Sequence, residues 1–135
     1  MKNVICLLLV SFTVSCQDPI SSDNNQITFH TRNNSYLTTD SSTVFIENDM
    51  NSDFEIFLRC GSYLEMYYQK KDNYSWSKYI WFSWMSLKCF SVPATIKAHD
   101  IYEFTIPSEE INIIGTYRLI LANDTSFISN TFEIK

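Results

Sequence analysis

Regular alternation of apolar and polar residues is the feature that most constrains the fold of this chain. From Ile27 onward, runs with this period of two recur roughly every 8–15 residues. Such runs begin near Val44, Phe54, Leu64 and Tyr117. Successive side chains of a β-strand point to opposite faces, so each run predicts a strand with one buried face. Strands at this spacing predict an all-β, antiparallel sandwich or barrel.

The segments between these runs have the composition of turns. They are rich in Asn, Asp and Ser, whose side chains hydrogen-bond to the local backbone. The predicted turns cover residues 33–35, 48–53, 71–75, 107–110 and 123–126. Only one short helical turn is predicted, over residues 108–114, with Ser108 as its cap.

The first residues have the layout of a secretory leader. Lys2 precedes an apolar stretch over residues 4–14, and the small residue Ser15 stands directly before Cys16. The stretch is too short to span a membrane, which takes about 20 apolar residues. The segment 13–16, TVSC, resembles the lipobox of bacterial lipoproteins, which implies that Cys16 is acylated and becomes the new N-terminus.

Two other interpretations of this segment stay open at the level of sequence. It could be an ordinary secretory leader with an incidental cysteine, or the apolar first strand of a cytosolic protein. Under the lipoprotein interpretation, residues 1–15 are a signal peptide, 16–26 a flexible polar tether and 27–135 one β-sandwich domain. Gln17 after the anchor cysteine favours the outer membrane, so the predicted partners include a membrane, reached through the N-terminal lipid.

Charge and composition argue against several classes of function. The net charge is −5, and no basic run exists beyond Lys70-Lys71, which disfavours nucleic-acid binding. With only two glycines in the chain, a glycine-rich phosphate loop cannot form. His30 and His99 are the only histidines, and no nucleophile elbow or metal-ligand cluster is visible. We therefore predict no catalytic residues, no metal site and no cofactor.

Two cysteines, Cys60 and Cys89, lie in the predicted domain. In an exported protein, an even pair of cysteines predicts a disulfide bond. The alternative is two free, buried thiols.

Three stretches of the predicted domain form a recognisable set. They are YLEMYYQKKDNYSW at residues 63–76, which ends at Trp76, GTYRL at 115–119, and SNTFEIK at 129–135, which contains Phe132. Together they resemble the bacterial immunoglobulin-like domains of secreted and lipid-anchored envelope proteins. The resemblance covers roughly residues 27–135 and implies an immunoglobulin-like sandwich of about 7–9 strands. It also implies a binding or spacer role without catalysis.

The GTYRL stretch has a physical interpretation of its own. Gly115 is expected to take a positive φ at the turn that enters the strand. Tyr117 is then expected to point inward, with its hydroxyl bonded to the backbone. Arg118 faces outward, where an ion pair with Glu133 or Glu103 is favoured over a role in ligand binding.

The aromatic run over residues 74–84 is the best candidate for a binding surface. Alternation would place Trp76, Ile80, Phe82 and Trp84 on one face, and Tyr79 and Trp81 on the other. Together with Tyr74, the outward-facing rings would form a platform for a glycan or a protein. The alternative is that these rings belong to a second core face or lie under a loop.

Three functions compete at this stage. The leading one is a lipid-anchored envelope protein with a non-catalytic interaction domain, whose partner is an unknown protein or glycan. The second is a periplasmic inhibitor of a hydrolase such as lysozyme or a protease. A small hydrolase is the third.

Overall fold

The computed structural model describes residues 26–135 of the chain. The predicted signal peptide, Cys16 and nearly all of the predicted tether lie outside these residues. The described part contains twelve strands, numbered here in chain order, and one short 3₁₀ helix at Ser83–Ser86. Eight strands have three or more residues, and they form several antiparallel sheets in a sandwich-like arrangement. The prediction of an all-β sandwich is confirmed, and the arrangement is consistent with an immunoglobulin-like fold.

The strands form three sheets. The first sheet has the order β1-β3-β10, made of Ile27–Thr31, Ser42–Asn48 and Ile101–Ile106. The second has the order β2-β12-β11-β6-β7, made of Ser35–Tyr36, Phe132–Ile134, Gly115–Leu121, Met66–Asp72 and Ser75–Trp76; β8, Ile80–Trp81, also pairs with β6. The third has the order β5-β4-β9, made of Tyr63–Leu64, Phe54–Arg59 and Ser91–Ile96.

The core follows the alternation of the sequence. Val44 and Ile46 of β3 are fully buried, and so are Leu119 and Leu121 of β11. The same pattern occurs in β12, where the buried Phe132 and Ile134 lie on either side of the exposed Glu133. Burying a large apolar side chain contributes about 1.5–3 kcal/mol. The burial of these alternating side chains therefore determines which face of each strand points to the core.

Asn48, at the end of β3, connects two turns inside the fold. Its side chain is buried, and its Nδ2 donates to the carbonyl oxygens of Ser52 at 2.9 Å and of Ile96 and Lys97 at 3.0 Å. Its Oδ1 accepts from the backbone N–H of Met50 at 3.1 Å. The β3–β4 turn and the β9–β10 turn are thus held together by one side chain.

The predicted disulfide between Cys60 and Cys89 is confirmed, with a Cα–Cα distance of 5.3 Å. It joins the end of β4 to the segment that precedes β9. The backbone N–H of Cys60 donates to the carbonyl of Phe90 at 3.1 Å, and β4 and β9 pair from Phe54↔Ile96 to Arg59↔Ser91. The disulfide therefore closes the open end of a long antiparallel pair.

The helical turn predicted over residues 108–114 is wrong, because the structure has only turns and bends there. Isolated helices of two turns are marginal in water. Glu110, within this segment, accepts hydrogen bonds from the backbone N–H and the hydroxyl of Ser83. The short 3₁₀ helix lies instead at Ser83–Ser86, and its residues Trp84 and Met85 are buried.

Candidate functional site

Three aromatic side chains, Tyr67, Tyr79 and Trp81, lie together on the outer face of the second sheet; we call them the aromatic cluster. Tyr67 of β6 pairs in register with Trp81 of β8, and their ring centroids are 4.8 Å apart at an angle of 86°. The ring of Tyr79 stacks on Tyr67 at 5.4 Å and 13°. The cluster exists because β8 folds back on β6 and places one aromatic residue opposite another.

The aromatic cluster is open to solvent although its rings are large. Trp81 is 58% exposed and Tyr79 is 46% exposed. Beneath them, Ile120 pairs in register with Tyr67 and is fully buried, although it lies outside the main core. Ile120 thus provides a buried apolar neighbour for Tyr67 on the outer face of the sheet.

A shallow groove of about 440 Å³ runs along one side of the aromatic cluster. Tyr67 and Trp81 contribute to its wall, together with Phe57 of β4. Ser91 and Asn123 add polar side chains to the same groove. Its lining therefore mixes aromatic surface with a few hydrogen-bonding groups.

Arg59 and Glu65 form an ion pair in this groove. Arg59 Nε lies 3.4 Å from Glu65 Oε1, and the two side chains are 21% and 13% exposed. The guanidinium also donates to the carbonyl oxygens of Cys89 at 3.0 Å and Met85 at 3.2 Å. Glu65 accepts a further hydrogen bond from the hydroxyl of Ser91. Both charges are thus held by several partners, so their geometry is fixed before any ligand arrives.

The backbone of the groove at Glu65 is already paired. Its N–H donates to the carbonyl of Phe57 at 2.9 Å, and its carbonyl accepts from the N–H of Ala122 at 3.0 Å. At Glu65, therefore, a ligand would meet no free main-chain group. The residues that line the groove include one carboxylate, Glu65, and no histidine or cysteine.

Over residues 26–135, no group of three His, Cys, Asp or Glu side chains is placed to hold a metal ion. Within that range there is also no helix with the length and apolar character needed to cross a membrane.

The predicted binding residues do not all come together. Tyr79 and Trp81 belong to the aromatic cluster, whereas Tyr74 lies at the tip of the β6–β7 turn and is completely exposed. The predicted alternation is confirmed for the exposed Tyr79 and Trp81 and for the buried Phe82 and Trp84. It is wrong for Trp76, because one strand ends at Trp76 and the next begins at Ile80. The break at residues 77–79 separates Trp76 from the core residues Phe82 and Trp84.

The predicted ion pair of Arg118 with Glu133 or Glu103 is wrong. Glu133 pairs with Lys135 and Glu103 with Arg32. Arg118 Nε instead donates to Gln69 Oε1 at 2.9 Å. Its guanidinium lies 4.3 Å from the centre of the Trp76 ring, a cation–π contact that explains why Trp76 stays on the outer face.

Tyr117, Phe132 and Gly115 shape the other end of β11. Tyr117 is buried, its hydroxyl donates to the carbonyl of Ile113 at 2.7 Å, and its ring lies 6.0 Å from that of Phe132. Burial, and then the neighbouring Tyr68, raise the pKa of the Tyr117 hydroxyl. This is the geometry of the tyrosine corner of immunoglobulin-like sandwiches. Gly115 has a φ of +158°, and a Cβ there would lie 2.6 Å from Lys70 Cε.

Sequence reasoning did not identify Arg59, Glu65 or Tyr67 as site residues. The alternation of the run that begins near Leu64 places Glu65 and Tyr67 on the outward-facing side of a strand and indicates nothing further about them. One local signal was present, since Leu119-Ile120-Leu121 is a run of apolar residues that predicts a strand covered on both faces. Arg59 and Glu65 come together across the short β4–β5 hairpin, which the alternating pattern alone does not predict.

Comparisons with known proteins give little further information. No protein-family model matches the sequence, and no curated protein matches it significantly. Among solved structures, the β-glucosidase EmGH1 from Erythrobacter marinus is similar with a TM-score of 0.43 and 7% identity. The match covers 80% of this chain and 15% of that chain, so this chain spans a small part of the enzyme's length. A similarity of this size supports no statement about function.

Proposed function

We propose that this chain is a lipid-anchored bacterial envelope protein whose β-sandwich is a non-catalytic binding domain. The single observation that carries the binding role is the aromatic cluster, in which Tyr79 and Trp81 are exposed beside a preformed groove. Aromatic side chains of this kind dominate binding energies, because they bury a large area with little loss of conformational freedom. The partner of such a domain is an envelope protein or glycan.

Two neighbouring aromatic residues provide a matched test. Trp81 is 58% exposed and Phe82 is 1% exposed, so alanine at each position should separate binding from folding. Trp81→Ala should change the free energy of unfolding by less than about 1 kcal/mol. In the purified Cys16→Ala chain, which has no lipid to attach it to a membrane, the same substitution should reduce sedimentation with isolated envelopes. Phe82→Ala should cost about 3–5 kcal/mol.

The binding proposal is wrong if the Cys16→Ala chain does not associate with isolated envelopes that lack anchored copies of the protein. It is also wrong if Cys16→Ala/Trp81→Ala associates as strongly as Cys16→Ala. Should Trp81→Ala destabilise the chain as much as Phe82→Ala, Trp81 is a structural residue and the cluster is not a binding surface.

The lipid anchor is tested separately at Cys16, which lies outside the described residues. An acyl chain gains about 0.8 kcal/mol for each methylene that it buries in the membrane. In the Trp81→Ala chain, where the binding surface is removed, Cys16→Ala should therefore move the protein from the membrane fraction to the soluble fraction. A variant that remains in the membrane fraction would contradict the proposed anchor.

One observation favours a hydrolase inhibitor as the second candidate. Phe90 is 89% exposed and Leu87 is 45% exposed, on the segment that the Cys60–Cys89 disulfide holds in place. A constrained apolar loop can enter the cleft of an enzyme at low entropic cost. Inhibition of lysozyme or a protease by the wild-type chain, and its loss in Phe90→Ala, would establish this alternative; no inhibition would remove it.

A further inference from the structure

We propose that the groove beside the aromatic cluster binds a neutral saccharide, with a sugar ring packed against Trp81 and its hydroxyls directed to the polar side chains of the groove. This inference rests on the proposed binding function and specifies the chemical class of its partner. It follows from the charge of the groove, the mixture of groups that line it, and the state of its backbone.

The charge of the groove selects a neutral ligand. Of the residues that line it, only Arg59 and Glu65 are charged, and they pair with each other at 3.4 Å. A phosphate or a carboxylate is recognised by cationic groups free to form charge-assisted hydrogen bonds. An amine would need a carboxylate free to do the same. Here each charge already has its partner, and a charged ligand would be desolvated without compensation.

The lining selects a ligand that is apolar on one side and polar on the other. Trp81 presents exposed aromatic surface, and Phe57 and Tyr67 extend it. Ser91 Oγ donates to Glu65 and Asn123 Nδ2 donates to the carbonyl of Glu55 at 3.2 Å, so these side chains offer a ligand two acceptors, the Ser91 hydroxyl oxygen and Asn123 Oδ1. A pyranose ring has a face of C–H groups and a periphery of hydroxyls that can donate to such acceptors, so it matches both parts. A purely apolar ligand would remove these acceptors from water without giving them a donor.

The backbone and the dimensions of the groove disfavour an extended peptide. A peptide that adds to a sheet needs an edge with free N–H and C=O groups, but both main-chain groups of Glu65 are paired. The volume of about 440 Å³ lies within the range of about 300–1,000 Å³ that small-ligand sites occupy. The groove therefore has room for individual sugar units presented by a longer glycan.

The test is isothermal titration calorimetry of the purified full chain with neutral and acidic oligosaccharides. The neutral probes are maltohexaose, cellohexaose and chitohexaose, and the acidic probe is an oligogalacturonate of similar length. Two variants form a matched pair: Trp81→Ala removes an exposed ring from the groove, and Tyr74→Ala removes a still more exposed ring outside it. We expect at least one neutral probe to bind in preference to the acidic one. Its affinity should fall about tenfold or more in Trp81→Ala and remain unchanged in Tyr74→Ala.

Three results would overturn the inference. One is stronger binding of the acidic probe, because the charge argument would then be wrong. Another is equal affinity of Trp81→Ala and the wild type for the neutral probe. The third is binding of no neutral probe at millimolar concentration. If envelope association still depends on Trp81 in that case, the partner is a protein and the proposed binding function stands; if it does not, both proposals fail.

Discussion

Removal of the Cys60–Cys89 disulfide should destabilise the domain substantially. The two cysteines are 29 residues apart in sequence, so the bond closes a loop of about 30 residues in the unfolded chain. In the chain-entropy model, a loop of that length lowers the unfolded-state entropy enough to stabilise the fold by about 3.6 kcal/mol at 25 °C. Typical domains have a free energy of unfolding of about 5–15 kcal/mol, so the loss is a large fraction of the total.

The structure indicates that this loss of stability arises mainly from the greater entropy of the unfolded chain without the cross-link. Cys60 is exposed and Cys89 is half-buried, so alanine at these positions leaves no large cavity. The hydrogen-bonded pairing of β4 with β9 continues up to Arg59↔Ser91 and holds the same ends together in the folded state. The double variant Cys60→Ala/Cys89→Ala should therefore keep the native fold while its free energy of unfolding falls by about 3–4 kcal/mol.

Urea unfolding of the full chain, followed by far-ultraviolet circular dichroism at 25 °C, measures this difference. The reduced wild-type protein is the control, because it loses the bond and keeps both sulfur atoms. A double variant within about 1 kcal/mol of the oxidised wild type would refute the argument from loop closure. A double variant clearly less stable than the reduced wild type would show that packing of the cysteines, and not the cross-link, accounts for the effect.

Three further predictions follow from individual side chains. Asn48→Ala should lower the free energy of unfolding by about 2–4 kcal/mol in urea titrations, because it leaves several buried backbone groups without partners. Tyr117→Phe removes one hydrogen bond and little volume, so its cost should be about 1–2 kcal/mol in the same assay. Hydrogen bonds from Lys97 and then from the backbone of Ala98 hold the pKa of Asp53 below its usual value of 3.8. The stabilisation from this contact is therefore complete above the pKa that Asp53 has in the unfolded chain, and it is lost as the pH falls through the pKa in the folded chain. An NMR titration of Lys97→Met should show the pKa of Asp53 rising toward 3.8.

The fold was predictable because the alternation of side chains is a local property. Val44 and Ile46 are separated by one residue, and both are fully buried. The same logic failed where a second interaction competed with the strand. Trp76 is held on the outer face by Arg118, and the polar break at residues 77–79 then shifts the phase of the residues that follow.

The candidate site was predictable only in part. The exposure of Trp81 followed from alternation within a short strand, and the structure places this residue in the aromatic cluster. The groove also requires Arg59 from β4 and Ser91 from β9. Arg59 and Ser91 pair in register between β4 and β9, and Trp81 of another sheet lines the same groove. Their proximity therefore depends on contacts between residues that are distant in sequence rather than on the local order of residues.

The parallel pairing of β2 with β12 has a consequence for how the chain can be divided. Glu133 pairs with Ser35, so β12 is held between two strands that come from opposite ends of the described sequence. The exposed stretch around residues 123–126 is the only covalent link between β11 and the segment that carries β12. A cut there would leave two fragments that remain associated, because the short fragment keeps its neighbours on both sides. The domain is therefore a natural starting point for a split protein whose halves reassemble without a covalent connection.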